Sequence, residues 1–376
     1  MILLGLYVVI LACRAALAGR YAANYPVPRK DSSLAEVTVC QAILSGDPDL
    51  EGALSGTVAA LPRASFMWLI DDDDAEAARI TAELLEAFPR RQIIVLALPA
   101  APEGINPKLF KLEAARSRVA SGVFLVLDDD TRLTSQSLAA LVEALDRCEL
   151  STGLPFYRAG SNVYGRLLAQ FVNNNSALTY LPFAGFMPPV SINGMCYALK
   201  VETLSGLDGF SAILKHLTDD LAVADRVRHG GGAIVQTPYP QEVATTLHSA
   251  GGYISQMHRW YVFALLLMRR QSLAMNSLIF VTCGLPPVLL AAGIAGAMLS
   301  PSGGVFAALV GVLAVRMILL SLLQWRISGL VRHQPVLSLI SELLQPLHLV
   351  HAVVVRSIRW RSRRYRVYDN DRFTSI

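Results

Sequence analysis

The sequence is poor in charge. Charged residues fill 16% of its 376 positions and hydrophobic residues 53%, a balance too apolar for an ordinary soluble domain. No basic stretch precedes the first apolar run: Met1 to Ala18 is broken only by Arg14, and Arg20, Arg29 and Lys30 come after it. A cleavable signal peptide carries its positive charge in front, so residues 1–20 are expected to form a retained transmembrane anchor. Cysteine is scarce too. Cys13, Cys40, Cys148, Cys196 and Cys283 make no C-x-x-C pair and no metal-ligand spacing, which suggests reduced thiols on the cytoplasmic side. A G-x-x-x-x-G-K-[ST] loop and a G-x-G-x-x-G turn are both missing, so neither a P-loop nor a dinucleotide fold supplies phosphate contacts. A D-x-[DN]-x-[DN]-G loop with a following Glu is also missing, which counts against calcium binding of the EF-hand kind.

Long apolar runs are present. Leu273 to Leu299 and Val305 to Leu323 each reach the roughly 20 residues that a spanning helix needs, so residues 273–325 are expected to hold two transmembrane helices around the uncharged turn "SPSGG". A further run, Val336 to Val355, contains Glu342, Gln345, Pro346, His348 and His351. Residues 336–376 are therefore read as an interfacial or membrane helix followed by a basic tail. Lys and Arg favour the cytoplasmic side. With the first helix running inwards, Arg269, Arg270, Arg326 and Arg332 lie inside, as does the tail "RSIRWRSRRYR". The net charge of +4 is thus unevenly placed, and arginines clustered beside lipid point to anionic headgroups and not to nucleic acid.

Residues 31–265 read differently. "EVTVCQAIL", "FMWLI", "QIIVLAL" and "GVFLVL" are continuous in apolar residues, as parallel strands covered on both faces are. Helix-length segments such as Ala75 to Phe88 and Lys108 to Val119 run between them. This alternation predicts an α/β domain with a doubly wound, mostly parallel sheet, whose ligands bind beyond the carboxyl ends of the strands.

Two of those ends are acidic: "FMWLI" stops at Asp71 in "DDDD", and "GVFLVL" at Asp128 in "DDD". A third acidic pair, Asp219 and Asp220 in "LTDDLAVADRVRHGG", opens a helix. Singly, each could be a helix start, where capping and the dipole favour Asp. Together, three carboxylate clusters at the loop ends of one sheet repel one another unless a cation or a substrate donor sits among them. A divalent ion that bridges phosphates is the simplest occupant, which points to a nucleotide-diphosphate site.

The stretches "GDPDLEGAL", "LIDDDDAEAA", "GINPKLFKL", "LVLDDDTRLT", "GLPFY", "INGMCYALKVETLSGLDGF", "LTDDLAVADRVRHGG" and "SQMHRW" resemble, in order, the inverting family 2 type glycosyltransferases of the GT-A fold. They are most similar to the ceramide glucosyltransferase group and its bacterial hopanoid-associated relatives. The resemblance implies a GT-A, Rossmann-like catalytic domain between N-terminal and C-terminal membrane helices. It implies that Asp71 contacts the uracil or ribose of a UDP-sugar and that Lys108 lies near the nucleotide. Asp128 and Asp130 match a D-x-D site holding Mn2+ or Mg2+ against the diphosphate, and Asp220 matches the general base. Gln256, Arg259 and Trp260 match a Gln-x-x-Arg-Trp motif that closes over the diphosphate and the acceptor mouth. The chain departs from the pattern at "CQAILSGD", where a Lys-Pro-Leu is usual, and at Thr-Asp-Asp in place of a Glu-Asp pair, which leaves the role of Asp219 open.

With an ordinary carboxylate pKa near 4, Asp220 is expected to be ionised at neutral pH and to take the acceptor proton unaided. Residues 253–271 are read as an interfacial helix that puts Gln256, Arg259 and Trp260 on one face while the rest of it lies on lipid. A catalytic motif tied to the membrane suits a lipid acceptor, ceramide-like or hopanoid-like, glycosylated on the cytoplasmic leaflet of the inner membrane, with UDP-glucose the favoured donor. His258 lies off that face and reads as a surface residue, His216 as a loop residue. Arg316, inside an apolar span, must find a partner or snorkel. The alternatives are a processive polysaccharide synthase and a non-catalytic membrane protein whose acidic loops bind a structural cation.

Overall fold

The computed structural model describes residues 1–29, 36–360 and 363–375; Lys30 and, in the basic tail, residues 361, 362 and 376 lie outside the described residues. Helix α1 (Ile2–Asn24) comes first, followed by alternating strands and helices: β1 (Val37–Ala42), α2 (Leu50–Ala60), β2 (Ser65–Asp71), α3 (Ala75–Ala87), β3 (Ile93–Leu98), α4 (Pro107–Arg116) and β4 (Val123–Leu127). Then come β5 (Thr131–Arg132), α5 (Ser135–Ala144), β6 (Leu150–Arg158), α6 (Val163–Tyr180), β7 (Cys196–Lys200), α7 (Val201–Gly206), α8 (Asp219–His229) and β8 (Ile234–Ala244). The chain divides into two compact units.

The first unit, Tyr25–Arg158 with Met187–Thr246 and Val367–Ile376, holds an eight-stranded sheet in the order β3-β2-β1-β4-β7-β6-β8-β5. β1 pairs in parallel with β2 on one side and β4 on the other, with Thr38 opposite Ser65 and Cys40 opposite Val126. β7 inserts antiparallel between β4 and β6, and β6 pairs in parallel with β8. The unbroken apolar runs have their reason here, because alternate side chains of each strand enter different cores. Val39, Trp68 and Leu125 pack in one core, with Leu54 of α2, Ile80 of α3 and Leu138 of α5. Cys40, Met67 and Phe124 pack in the other, with Leu109 and Leu112 of α4. The strand order reverses between β1 and β4, which makes the carboxyl ends of these strands the binding crevice of such a sheet.

The second unit, Met1–Asn24 with Ala159–Phe186 and Leu247–Arg366, is helical. It takes in α6, which lies within the span 31–265 read from the sequence as one domain. The reason is polar: Asn174 Nδ2 of α6 donates to Ser338 Oγ at 2.7 Å, and Gln324 Nε2 donates to Asn174 Oδ1 at 3.1 Å. After α9 (Ala250–Arg269) come α10 (Leu273–Ile279), one π-helical turn (Phe280–Gly284), α11 (Leu285–Leu299), α12 (Gly303–Ser328), α13 (Pro335–Leu343) and α14 (Gln345–Val354). Three short strands end the chain: β9 (Ser357–Trp360), β10 (Arg363–Val367) and β11 (Phe373–Ser375).

Among the described residues, four segments are long and apolar enough to cross a membrane: Ile2–Asn24, Leu273–Leu299, Gly303–Ser328 and Pro335–Val354. Ser302 caps α12 by accepting from Val305 N, and Gly329, at φ 69°, ends it in the left-handed conformation that glycine tolerates. Gly293 of α11 lets α1 approach closely, since a Cβ there would fall 2.4 Å from Leu4 Cδ2. Arg316 does find a partner. Its Nε donates to Glu342 Oε2 at 2.8 Å and its Nη2 to Ser338 O at 3.0 Å, while Tyr7 Oη donates to the same Glu342 oxygen at 3.2 Å. Glu342, the charge that counted against a spanning helix in the last apolar run, is thus neutralised within the unit.

Candidate active site

The site of the sheet unit is built around α4. Asn106 caps this helix, accepting from Lys108 N and Leu109 N, and Pro107 holds its first turn. The chain has only five lysines, and α4 carries two of them, Lys108 and Lys111, three residues apart and so on one face. Lys108 Nζ lies 2.7 Å from Asp128 Oδ1 and 2.7 Å from Asp219 Oδ2, and donates to Gly194 O at 2.8 Å. Lys111 Nζ lies 3.0 Å from Asp71 Oδ1 and donates to Ile43 O at 2.8 Å. One helix face therefore gathers members of all three acidic clusters, and the cations among them are the protein's own. Burial works against the Lys108 charge, but Asp128 and Asp219 outweigh it and hold its pKa well above the usual lysine range.

Each carboxylate is aimed by its strand end. Trp68 Nε1 donates to Gln41 Oε1 at 3.0 Å, Gln41 Nε2 to Asp128 O at 3.4 Å, and Asp128 N to Met195 O at 2.9 Å. Asp129 Oδ2 accepts from Leu44 N and Asp74 Oδ2 from Ser45 N, both at 2.9 Å, which clamps the loop after β1. The "DDDD" run thus splits by role. Asp71 meets Lys111, Asp74 caps α3 by accepting from Ala77 N, and Asp72 and Asp73 are exposed. Asp130 accepts from Thr131 Oγ1 at 3.0 Å. Burial, then Asp128 and Asp129 beside it, push its pKa up to about 7.

Asp219 and Asp220 open α8, and a residue from the far end of the chain fixes where α8 starts. Thr218 N and Thr218 Oγ1 both donate to Asn370 Oδ1 at 2.7 Å, Leu217 N donates to Asn370 O at 2.7 Å, and Asn370 is fully buried. Asp219 takes the ion pair with Lys108. Among the described residues, the Asp220 side chain accepts from its neighbour Leu221 N at 2.8 Å and from no other donor. A Cβ on Gly194 would lie 3.0 Å from Asp220 Cβ, so glycine there leaves room for this carboxylate. The expectation of an ordinary pKa at Asp220 is corrected: burial, and next the adjacent Asp219, raise it to about 7. Tyr197 Oη is buried in the same unit with no hydrogen-bond partner among the described residues, and burial followed by the Asp219 charge pushes its pKa well above the usual tyrosine range.

These residues suit a divalent ion in one form. Among the described residues no group of three or more His, Cys, Asp or Glu side chains is arranged to hold a metal. Mg2+ and similar ions are commonly held by one or two carboxylates with substrate phosphates completing the shell. Asp128 and Asp130 offer hard oxygen donors of that kind, and the crowding that raises the Asp130 pKa is what a cation would relieve.

Gln256, Arg259 and Trp260 belong to the helical unit, on one face of α9. Arg259 Nη2 donates to Gln256 Oε1 at 2.9 Å, and Trp260 stacks on Phe171 of α6 at 6.0 Å between ring centroids. His258 is not a surface residue. It is buried, with Nε2 donating to Ser357 O at 3.0 Å and its ring 4.3 Å from that of His351, because α14 and β9 cover this side of α9.

Sequence reasoning missed Lys111, Gly194, Tyr197 and Asn370. Lys111 carried a signal, its helical spacing from Lys108. Asn370 carried none, since 152 positions separate it from Thr218, the residue before α8. Asn370→Ala is expected to leave two buried donors of Thr218, its N and its Oγ1, unpaired, at about 1–3 kcal/mol each, and to lower turnover by shifting the start of α8. Chemical denaturation together with a kcat measurement checks both effects, and an unchanged kcat would remove Asn370 from the support of this site.

Comparison with solved structures finds the mannosyltransferase PcManGT of Pyrobaculum calidifontis, in complex with GDP-Man and Mn2+, at 15% identity and TM-score 0.53, over 94% of this chain and 98% of that one. Glucosyl-3-phosphoglycerate synthase of Mycobacterium tuberculosis, in complex with phosphoglyceric acid, follows at 18% identity and TM-score 0.38, over 64% of this chain and 84% of that one. Comparison with curated proteins gives no match. The sheet with its mixed, mostly parallel order is of the GT-A type. The model of glycosyl transferase family 21 matches residues 2–373. The chain therefore belongs to glycosyl transferase family 21, the ceramide glucosyltransferase family, and is a glycosyltransferase.

Proposed function

We propose that this glycosyltransferase moves a hexose from a UDP-sugar, with UDP-glucose favoured, to the hydroxyl of a membrane lipid such as ceramide or a hopanoid, with inversion at the anomeric carbon. The observation that carries this reading is the junction at Lys108, where the acidic turn after β4 meets the acidic start of α8 at the switch point of the sheet. Leaving-group stabilisation and proton removal can then occur within one crevice. Asp71, held by Lys111, faces the nucleoside in this reading, and Lys108 stands beside the nucleotide. Asp128 and Asp130 would hold Mn2+ or Mg2+, which when bound supplies Lewis-acid stabilisation of the diphosphate. The Mn2+ held with GDP-Man by the structurally similar mannosyltransferase supports that choice.

Asp220 accepts the proton of the attacking hydroxyl. Free of the Lys108 ion pair, it keeps an oxygen for that task, and its raised pKa near neutrality makes it a stronger base than an ordinary aspartate. Gln256, Arg259 and Trp260 are assigned to the diphosphate and the acceptor mouth. The hydrogen bond from Arg259 to Gln256 supports their acting together, with the guanidinium adding fixed positive charge. The four membrane-length helices support a lipid acceptor. The flanking arginines support an inner-membrane location with the catalytic domain facing the cytoplasm.

Membranes of a host expressing the chain, incubated with UDP-glucose, are expected to yield a lipid heavier by a single hexose in mass spectrometry. Polymer in place of that product would establish a processive synthase, and the absence of any glycosylated product with every UDP-hexose tried would overturn the reading.

A further inference from the structure

The segment from Val355 to Arg366 contains six arginines and no acidic residue, and transfer of a sugar makes no use of it. In the structure its described strands β9 and β10 pair antiparallel, with Arg364 opposite Arg359, Arg366 opposite Ser357 and Tyr365 opposite Ile358. Residues directly opposite, and residues two apart along a strand, share a face. Arg359, Arg364 and Arg366 therefore project from one side, and all three are exposed, as is Arg356 just before the ribbon. Ile358, on the other side, is buried. The ribbon is fixed to the helical unit by the bond from His258 Nε2 to Ser357 O.

Like charges at directly opposite positions of a ladder repel each other, and an anionic surface laid against this face would ease the repulsion between Arg359 and Arg364. The ribbon begins three residues after α14, part of a membrane-length segment whose last turns expose Val350, Val353 and Val354. A basic cluster directly beyond such a helix lies at headgroup depth.

We infer that the exposed arginine face of the β9-β10 ribbon binds the headgroups of anionic phospholipids. Phosphate oxygens accept from guanidinium groups in paired, planar geometry. A face bearing several such groups grips adjacent headgroups of one leaflet and, through Ser357, steadies the helix that carries Gln256, Arg259 and Trp260. Nucleic acid is the other common polyanion. The lipid is favoured because the face follows a membrane-length helix with exposed valines.

The test uses the purified full-length protein in nanodiscs of phosphatidylcholine alone and of phosphatidylcholine mixed with phosphatidylglycerol. Hydrogen exchange of the peptide covering β9 and β10 is expected to slow when phosphatidylglycerol is present. The R364S/R366S variant is expected to lose that protection and R364K/R366K to keep most of it. In native mass spectrometry, retention of phosphatidylglycerol should weaken by roughly fivefold per arginine removed. Equal exchange in the two nanodiscs, an undiminished phosphatidylglycerol effect in R364S/R366S, or displacement of the lipid by single-stranded RNA would each overturn the inference. None of these readouts depends on sugar transfer, so they stand or fall apart from the proposed reaction.

Discussion

Asp220→Asn is expected to lower kcat by about 10²–10⁴-fold, the usual contribution of a positioned general base, while the affinity for UDP changes little. The amide keeps the shape of the carboxylate and the small space beside Gly194 but cannot accept the proton of the attacking hydroxyl. The wild-type pH profile should carry the same signature. As the proposed base, Asp220 would be inactive when protonated, and its pKa is raised to about 7 by burial and by Asp219, so turnover should climb as pH rises through about 7 and fall below it. Asp219→Asn removes the neighbouring negative charge and should move that limb to lower pH. Steady-state kinetics across pH with UDP titration as the binding control decides the matter, and full turnover in Asp220→Asn would assign the base elsewhere.

Lys108→Met is expected to destabilise the sheet unit by about 3–5 kcal/mol at neutral pH, the cost of removing one partner from a buried ion pair. The side chain of Lys108 is only 16% exposed, and its loss leaves Asp128 and Asp219 facing each other without the cation that both contact at 2.7 Å. The sign of the pH effect follows. Burial raises the pKa of Asp128, so as pH falls Asp128 takes up a proton, its repulsion with Asp219 fades, and the deficit relative to wild type should shrink. Equilibrium unfolding at several pH values measures this. A deficit independent of pH would mean that Lys108 supports packing alone. Transfer should be lost in parallel, because the two acidic clusters are no longer drawn together.

Much of this unit could be read from sequence, for a physical reason. Strands such as "FMWLI" and "GVFLVL" are buried on both faces, so their apolar runs are unbroken and their ends are marked by Asp71 and Asp128. What stayed hidden depends on neighbours distant in the chain. Nothing in "GMCYALK" says that β7 runs antiparallel between β4 and β6, nor that the Lys108 ammonium will reach Gly194 O from α4. An ordinary pKa for Asp220 was the natural expectation because burial is a property of the folded chain. His258 looked like a surface residue from its place on the α9 face, since nothing nearby in sequence announces that His351 and Ser357 will cover it. Asp74 fits the reading that helix starts alone ask for, whereas Asp71, three residues before it, does not.

Arg316 meets its carboxylate 26 residues further along the chain, so in synthesis the arginine is made before its counter-ion. An arginine at the centre of an isolated apolar helix costs about 2.5–3.5 kcal/mol on insertion scales, and that cost is lifted only once α13 has left the ribosome. Tyr7, on α1, donates to the same Glu342 oxygen. One acidic group thus draws together helices made far apart in time, and a chain truncated before residue 342 would leave α12 with a charge that has lost its mate.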